Sequence, residues 1–167
     1  MSEPLRRSAE AVADVTEDEV SAALGSLAVT RGGWMNVVWA ATSPESGRFS
    51  AVERRSDVKD LADRFGELRS RGQGYLEVRL PDRELPQLSL GFRGDHAVIH
   101  LIDDAEGMSL LVGDGTVPVG AVVDVPIMDD PAEFTGDFVL SVDRAWALVR
   151  SFIRVGVPSD LGVWCAL

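Results

Sequence analysis

The chain has 167 residues, 46% of them apolar, and a net charge of −11, which suits one globular domain and excludes global disorder. Its one cysteine, Cys165, rules out an internal disulfide, and no apolar run reaches the roughly 20 residues of a spanning helix. No apolar run follows the charged N-terminus, so no secretory signal is expected and the expected compartment is the cytoplasm.

In chain order, residues 1–15 are polar, charged and alanine-rich and are expected to form a flexible leader, with one α+β domain over 16–167. Thr16 to Glu19 carries a capping-box spacing and starts a short helix through Val20, Leu24 and Leu27. Residues 34–41 are apolar and β-prone, a turn follows at 44–47, and 48–55 is a second strand. Ser56 is the expected N-cap of a helix over 57–70, because Val58, Leu61, Phe65 and Leu68 recur at helical spacing. Arg69 and Arg71 suit the negative end of that helix dipole, and Gly72 closes it.

The middle alternates at strand period. Strands are expected at 75–80, 88–93, 96–102, 108–112 and 119–125, with Gly94-Asp95 as a two-residue turn between the second and third. This spacing predicts an antiparallel meander, and the fold class is α+β: a curved antiparallel sheet packed against two main helices. The second main helix begins at its N-cap Ser141, presents Val142, Trp146, Val149 and Ile153 on one stripe, and stops at Gly156, with Pro158 preventing resumption. Residues 161–166 read as a terminal strand.

Charge is unevenly spread along this pattern. From Asp82 to Asp137 there are 12 acidic residues and only two basic ones, Arg83 and Arg93, so that segment holds −10 of the −11. A one-signed field of this kind steers a basic partner and repels nucleic acid. Acids that merely keep turns soluble explain the same count.

Catalytic motifs are scarce. His96 and His100 are four apart on a strand, about 13 Å, too far to share a metal. Cys165 lacks a Cys-x-x-Cys partner and is expected to pack as a small apolar residue. The carboxylates Asp103, Asp104 and Glu106, and the pair Asp129 and Asp130, miss the EF-hand spacing and read as solvated turns. Gly113-Asp114-Gly115 lacks the lysine and following helix of a phosphate loop. No metal, cofactor or catalytic residue is therefore expected. Of the tryptophans Trp34, Trp39, Trp146 and Trp164, most are expected in the core, and one left exposed would serve as an interface anchor.

The second half also carries a family pattern. A meander containing Leu88-Ser-Leu-Gly91 and an acidic turn-rich stretch lead into the helix from Ser141. A Gly156-Val-Pro158 turn and a terminal Val163-Trp164 follow. This resembles the Imm-one family of immunity proteins from bacterial polymorphic toxin systems, the matching positions being Ala145, Phe152, Gly156, Pro158, Val163 and Trp164. The resemblance spans about Trp34 to Trp164 and leaves residues 1–33 without a counterpart.

The resemblance implies a non-enzymatic cytoplasmic antitoxin. It would bind a cognate toxin domain of deaminase-like or nuclease type and cover that toxin's active-site cleft. Because such a cleft must be basic to hold nucleic acid, an acidic inhibitor matches it, and the expected toxin-facing residues are Asp103, Asp104, Glu106, Asp114, Asp129 and Asp130. Direct nucleic-acid or membrane binding is not expected, and both monomer and dimer stay open. The alternatives are a general interaction module, such as a secretion chaperone or assembly subunit, and a small carboxylate-dependent hydrolase.

Overall fold

The computed structural model describes residues 36–103 and 107–167, and Asn36–Leu167 cluster as one unit. The leader, the helix expected after Thr16, and Trp34 lie outside the described residues.

The first strand, β1 (Asn36–Thr42), pairs antiparallel with β2 (Phe49–Asp57). Helix α1 (Val58–Arg71) then crosses the sheet, and β3 (Gln73–Arg79) returns on the far side of β1, antiparallel to it. From there the chain meanders as expected through β4 (Gln87–Arg93), β5 (His96–Asp103) and β6 (Gly107–Leu111). The two-residue strand β9 (Leu140–Ser141) pairs with β5, and β10 (Trp164–Ala166) pairs with the outer side of β6. The sheet order is thus β10-β6-β5-β4-β3-β1-β2, antiparallel throughout.

Both helices pack on one face of this sheet. Leu76, Val78, Leu88, Leu90, Phe92, Ala97, Ile99 and Leu101 alternate onto that face and are all buried. They meet Leu61, Phe65 and Leu68 of α1 and the apolar stripe of α2 (Val142–Val155). Phe65 joins the two layers: its ring stacks on Trp146 at 4.4 Å and tilts against Phe92 at 5.4 Å. Arg69 of α1 and Asp143 of α2 form an ion pair at 2.9 Å on the rim.

Helix ends follow local chemistry, with one correction. The N-cap of α1 is Asp57, whose carboxylate accepts the Asp60 N–H at 2.9 Å, and not Ser56. Ser56 lies in β2 one residue before its end, where its hydroxyl accepts the Trp39 indole N–H at 2.9 Å and donates to the Asp57 carbonyl. A carboxylate is the better partner for the positive helix end, so the strand simply runs one residue further. For α2, Ser141 is the cap, its hydroxyl accepting the Arg144 N–H at 3.2 Å.

The opposite face of the sheet holds a feature that the alternation pattern does not reveal. Residues 119–125 do not continue the meander. Instead β7 (Val122–Ile127) pairs with β8 (Asp130–Thr135) as a separate hairpin laid across β4, β5 and β3. The second strand of this hairpin falls in the stretch expected to be loop. Its inner side chains Val123, Val125, Ile127 and Phe134 pack with Val98, Leu110, Val117 and Val139 in a second core. Gly91 makes the close approach possible, since a Cβ built there would stand 2.3 Å from the Pro126 carbonyl oxygen.

The C-terminal segment also differs from expectation. Residues Pro158–Leu161 form a 3-10 turn, and only Trp164–Ala166 is strand. Cys165 is exposed and does not pack in the core. It sits on the short edge strand β10.

Candidate interaction surface

The acidic residues singled out from sequence do not come together. Asp103 ends β5 and is exposed. Asp114 lies at the other end of that strand: its carboxylate accepts the Ser141 N–H at 3.1 Å, and Ser141 pairs with His96. Seven residues of β5 separate the two positions, roughly 23 Å. Asp129 stands at the tip of the β7–β8 hairpin and accepts the Phe49 N–H of β2 at 2.7 Å. Four strand spacings, roughly 19 Å, lie between β5 and β2. Asp130 opens β8 beside Asp129 and is exposed. Asp104 and Glu106 lie outside the described residues.

Two of these acids have structural work. Asp114 accepts hydrogen bonds from both the Thr116 N–H and its hydroxyl as well as from Ser141, so it fixes the loop that leads into α2. Burial alone would raise its carboxyl, but those donors outweigh burial and hold it below the ordinary value of 3.8. Asp129 ties the hairpin tip to the main sheet. The hairpin turn needs that tie, because Met128 takes a positive φ of 61° there, a conformation that costs a side-chain-bearing residue about 1 kcal/mol.

The family-motif residues occupy one continuous unit. Ala145 and Phe152 are fully buried on α2. Gly156 caps that helix in the left-handed region at φ 77°, its N–H donating to the Phe152 carbonyl at 2.7 Å. Pro158 starts the 3-10 turn, and its carbonyl accepts the Trp164 indole N–H at 2.9 Å. Trp164 is half-buried, and Val163 is exposed. Ala145 and Phe152 seat α2 on the sheet, and Gly156, Pro158 and Trp164 fix the turn that follows it.

A half-buried polar row runs on the hairpin face of the sheet. Glu77, Ser89 and His100 are cross-strand neighbours on β3, β4 and β5. The Tyr75 hydroxyl donates to Glu77 at 2.9 Å, and burial pushes the Tyr75 phenol up. The His100 ring meets Phe134 edge-on at 5.6 Å, its Nδ1 is buried without a hydrogen-bond partner, and burial pushes its pKa below 6.5. Among the described residues no third group orients His100 through Nδ1. Among the described residues no group of three or more His, Cys, Asp or Glu stands close enough to share a metal ion.

Sequence reasoning also missed a groove of about 510 Å³ at the β2 side, where Arg54 and Arg64 both lie over the Trp39 ring, at 5.5 and 5.3 Å. The indole itself is only 3% exposed, so it stabilises the arginines and offers little contact area of its own. Pairing of residues distant in sequence builds this groove, and no spacing rule signals it.

Electrostatically the surface is split. The ion pairs Arg79–Glu53, Arg64–Glu67, Lys59–Asp63 and Arg69–Asp143 lie on the helices and on β2 and β3. From Gly94 to Asp143 there is no lysine or arginine at all. The hairpin acids Asp124, Asp129, Asp130, Glu133 and Asp137 are exposed, and none of them is in an ion pair among the described residues.

No protein-family model matches the chain, and comparison with curated proteins finds no match.

Proposed function

We propose that this protein is a cytoplasmic immunity protein, without catalytic activity of its own, that binds a toxin domain acting on nucleic acid and blocks its basic active-site cleft. The observation that carries this reading is the cation-free run from Gly94 to Asp143, in which Asp124, Asp130 and Glu133 of the hairpin are exposed and in no ion pair among the described residues. An exposed field of that kind accelerates encounter with a basic partner and repels the nucleic acid such a partner acts on. The resemblance through Ala145, Phe152, Gly156, Pro158 and Trp164 supplies the class.

The test is co-expression with the toxin domain encoded beside it, followed by kinetics of the purified pair. Growth is rescued and a stable complex forms. Association slows as salt rises from about 50 to 500 mM, because screening shortens the Debye length to a few ångströms. A toxin that kills equally with and without this protein would reject the reading, and a salt-independent on-rate would reject electrostatic steering.

A further inference from the structure

The β7–β8 hairpin has two unlike sides. Its inner side chains fill the second core, Pro126 lies against Gly91, and Asp129 fastens the tip, so the hairpin is a seated platform. On the outer side, cross-strand partners share a face: Val122 with Thr135, and Asp124 with Glu133. All four are exposed, Val122 at 56%, and Val119 just before the hairpin is 69% exposed.

Two carboxylates directly opposite on an antiparallel ladder repel each other, and a Glu–Lys pair at the same positions would attract. Among the described residues no ion pair offsets this repulsion. The free protein thus carries an unfavourable pair beside exposed apolar side chains on an uncovered sheet face. A basic segment laid over that face would neutralise the first and bury the second.

We propose that the outer face of the β7–β8 hairpin, centred on Asp124, Glu133 and Val122, is a docking surface for a lysine- and arginine-rich protein segment. For the identity of that partner as a toxin cleft, this rests on the immunity reading. The surface itself follows from the hairpin, whereas Asp114 and Asp129, though exposed, already accept backbone hydrogen bonds.

The probe is a 12-residue peptide of alternating lysine and threonine, titrated at low salt into the full-length protein with backbone amide shifts as the readout. The largest shifts fall at Val122 to Asp124 and Glu133 to Thr135. Glu133→Lys weakens the peptide at least about fivefold, whereas Asp160→Lys, the same charge change on the helix side, alters it less than about twofold. Glu133→Lys also raises the melting temperature by about 2 °C, since it converts repulsion into attraction. Shifts spread over all exposed acids, with both variants equally weakened, would overturn the surface. The neighbouring toxin domain separates the two proposals. If it binds but tolerates Glu133→Lys, the surface is wrong and the immunity reading stands. If the peptide maps to the hairpin and no toxin is bound, the surface stands and the immunity reading falls.

Discussion

Replacing Gly91 by alanine tests whether the hairpin is as tightly seated as the geometry implies. The new Cβ would sit 2.3 Å from the Pro126 carbonyl oxygen, with the Ile127 side chain at 3.3 Å. Backbone is the obstacle, so no rotamer change relieves it, and β7 must retreat by about 1 Å to restore ordinary contact. Of the inner side chains Val125 is fully buried and Val123, Ile127 and Phe134 are partly buried, so their burial is worth roughly 5 kcal/mol together. A gap of about 1 Å forfeits up to about half of the contact attraction, so the expected loss is about 2 kcal/mol. Urea unfolding followed by tryptophan fluorescence gives the change in stability from the midpoint at constant slope. Amide exchange at Val123, Val125 and Ala132 should accelerate, because those amides belong to the displaced hairpin. Gly66→Ala is the control: its Cβ meets nothing within 4 Å in the middle of α1, and it should stabilise by about 0.5–1 kcal/mol. If Gly91→Ala were as stable as the parent, with the hairpin amides still protected, the seated-hairpin argument would be refuted.

Two further outcomes follow from the titrating groups. Burial lowers the pKa of His100 below 6.5, so the unfolded chain binds its proton first; the stability it contributes is complete above pH 6.5 and falls as pH drops below that value. A melting-temperature series from pH 7.5 to 5 should show this fall, and His100→Leu should flatten it; an unchanged slope in the variant would assign the titration elsewhere. Asp114 has the opposite chemistry and a lower window, since its carboxyl is held below 3.8 and its contribution is lost only as pH falls through the folded value. Asp114→Ala removes the acceptor for Ser141 and Thr116 and should cost about 1–2 kcal/mol by urea unfolding at pH 7; a smaller change than about 0.3 kcal/mol would mean that water replaces the carboxylate.

The two helices were legible because their information is local. Leu61, Phe65 and Leu68 recur on one face of α1, and Ser141 and Gly156 bracket α2 with a cap at each end. Strands β4 and β5 were legible for the same reason: apolar alternation and a two-residue turn fix both strands and their pairing. Asp57 displaced Ser56 as a cap because both neighbours can accept an amide hydrogen and only the strand's end point decides between them.

The hairpin was not legible. Its second strand begins Asp130-Pro131 and carries Glu133, a composition that reads as loop. It is a strand because Phe134 reaches the second core when β7 lies beside it, a contact that forms only across the sheet face. The acidic surface has the same history. Counting charges located the field correctly along the chain but could not say which carboxylates were free to meet a partner. Asp114 and Asp129 already satisfy backbone donors from residues 27 and 80 positions away.

Sequence alone determined the fold class, the two main helices with three of their four caps, the meander core, and a strongly acidic central stretch with only two cations, Arg83 and Arg93. These depend on period, cap chemistry and composition, all of which act within a few residues. Only the tertiary structure decided that β3 pairs with β1, that the hairpin covers the second face of the sheet, and that Asp124 and Glu133 stand opposed on an open surface. Those outcomes depend on which distant backbone groups and apolar faces meet, and meeting is a property of the folded chain.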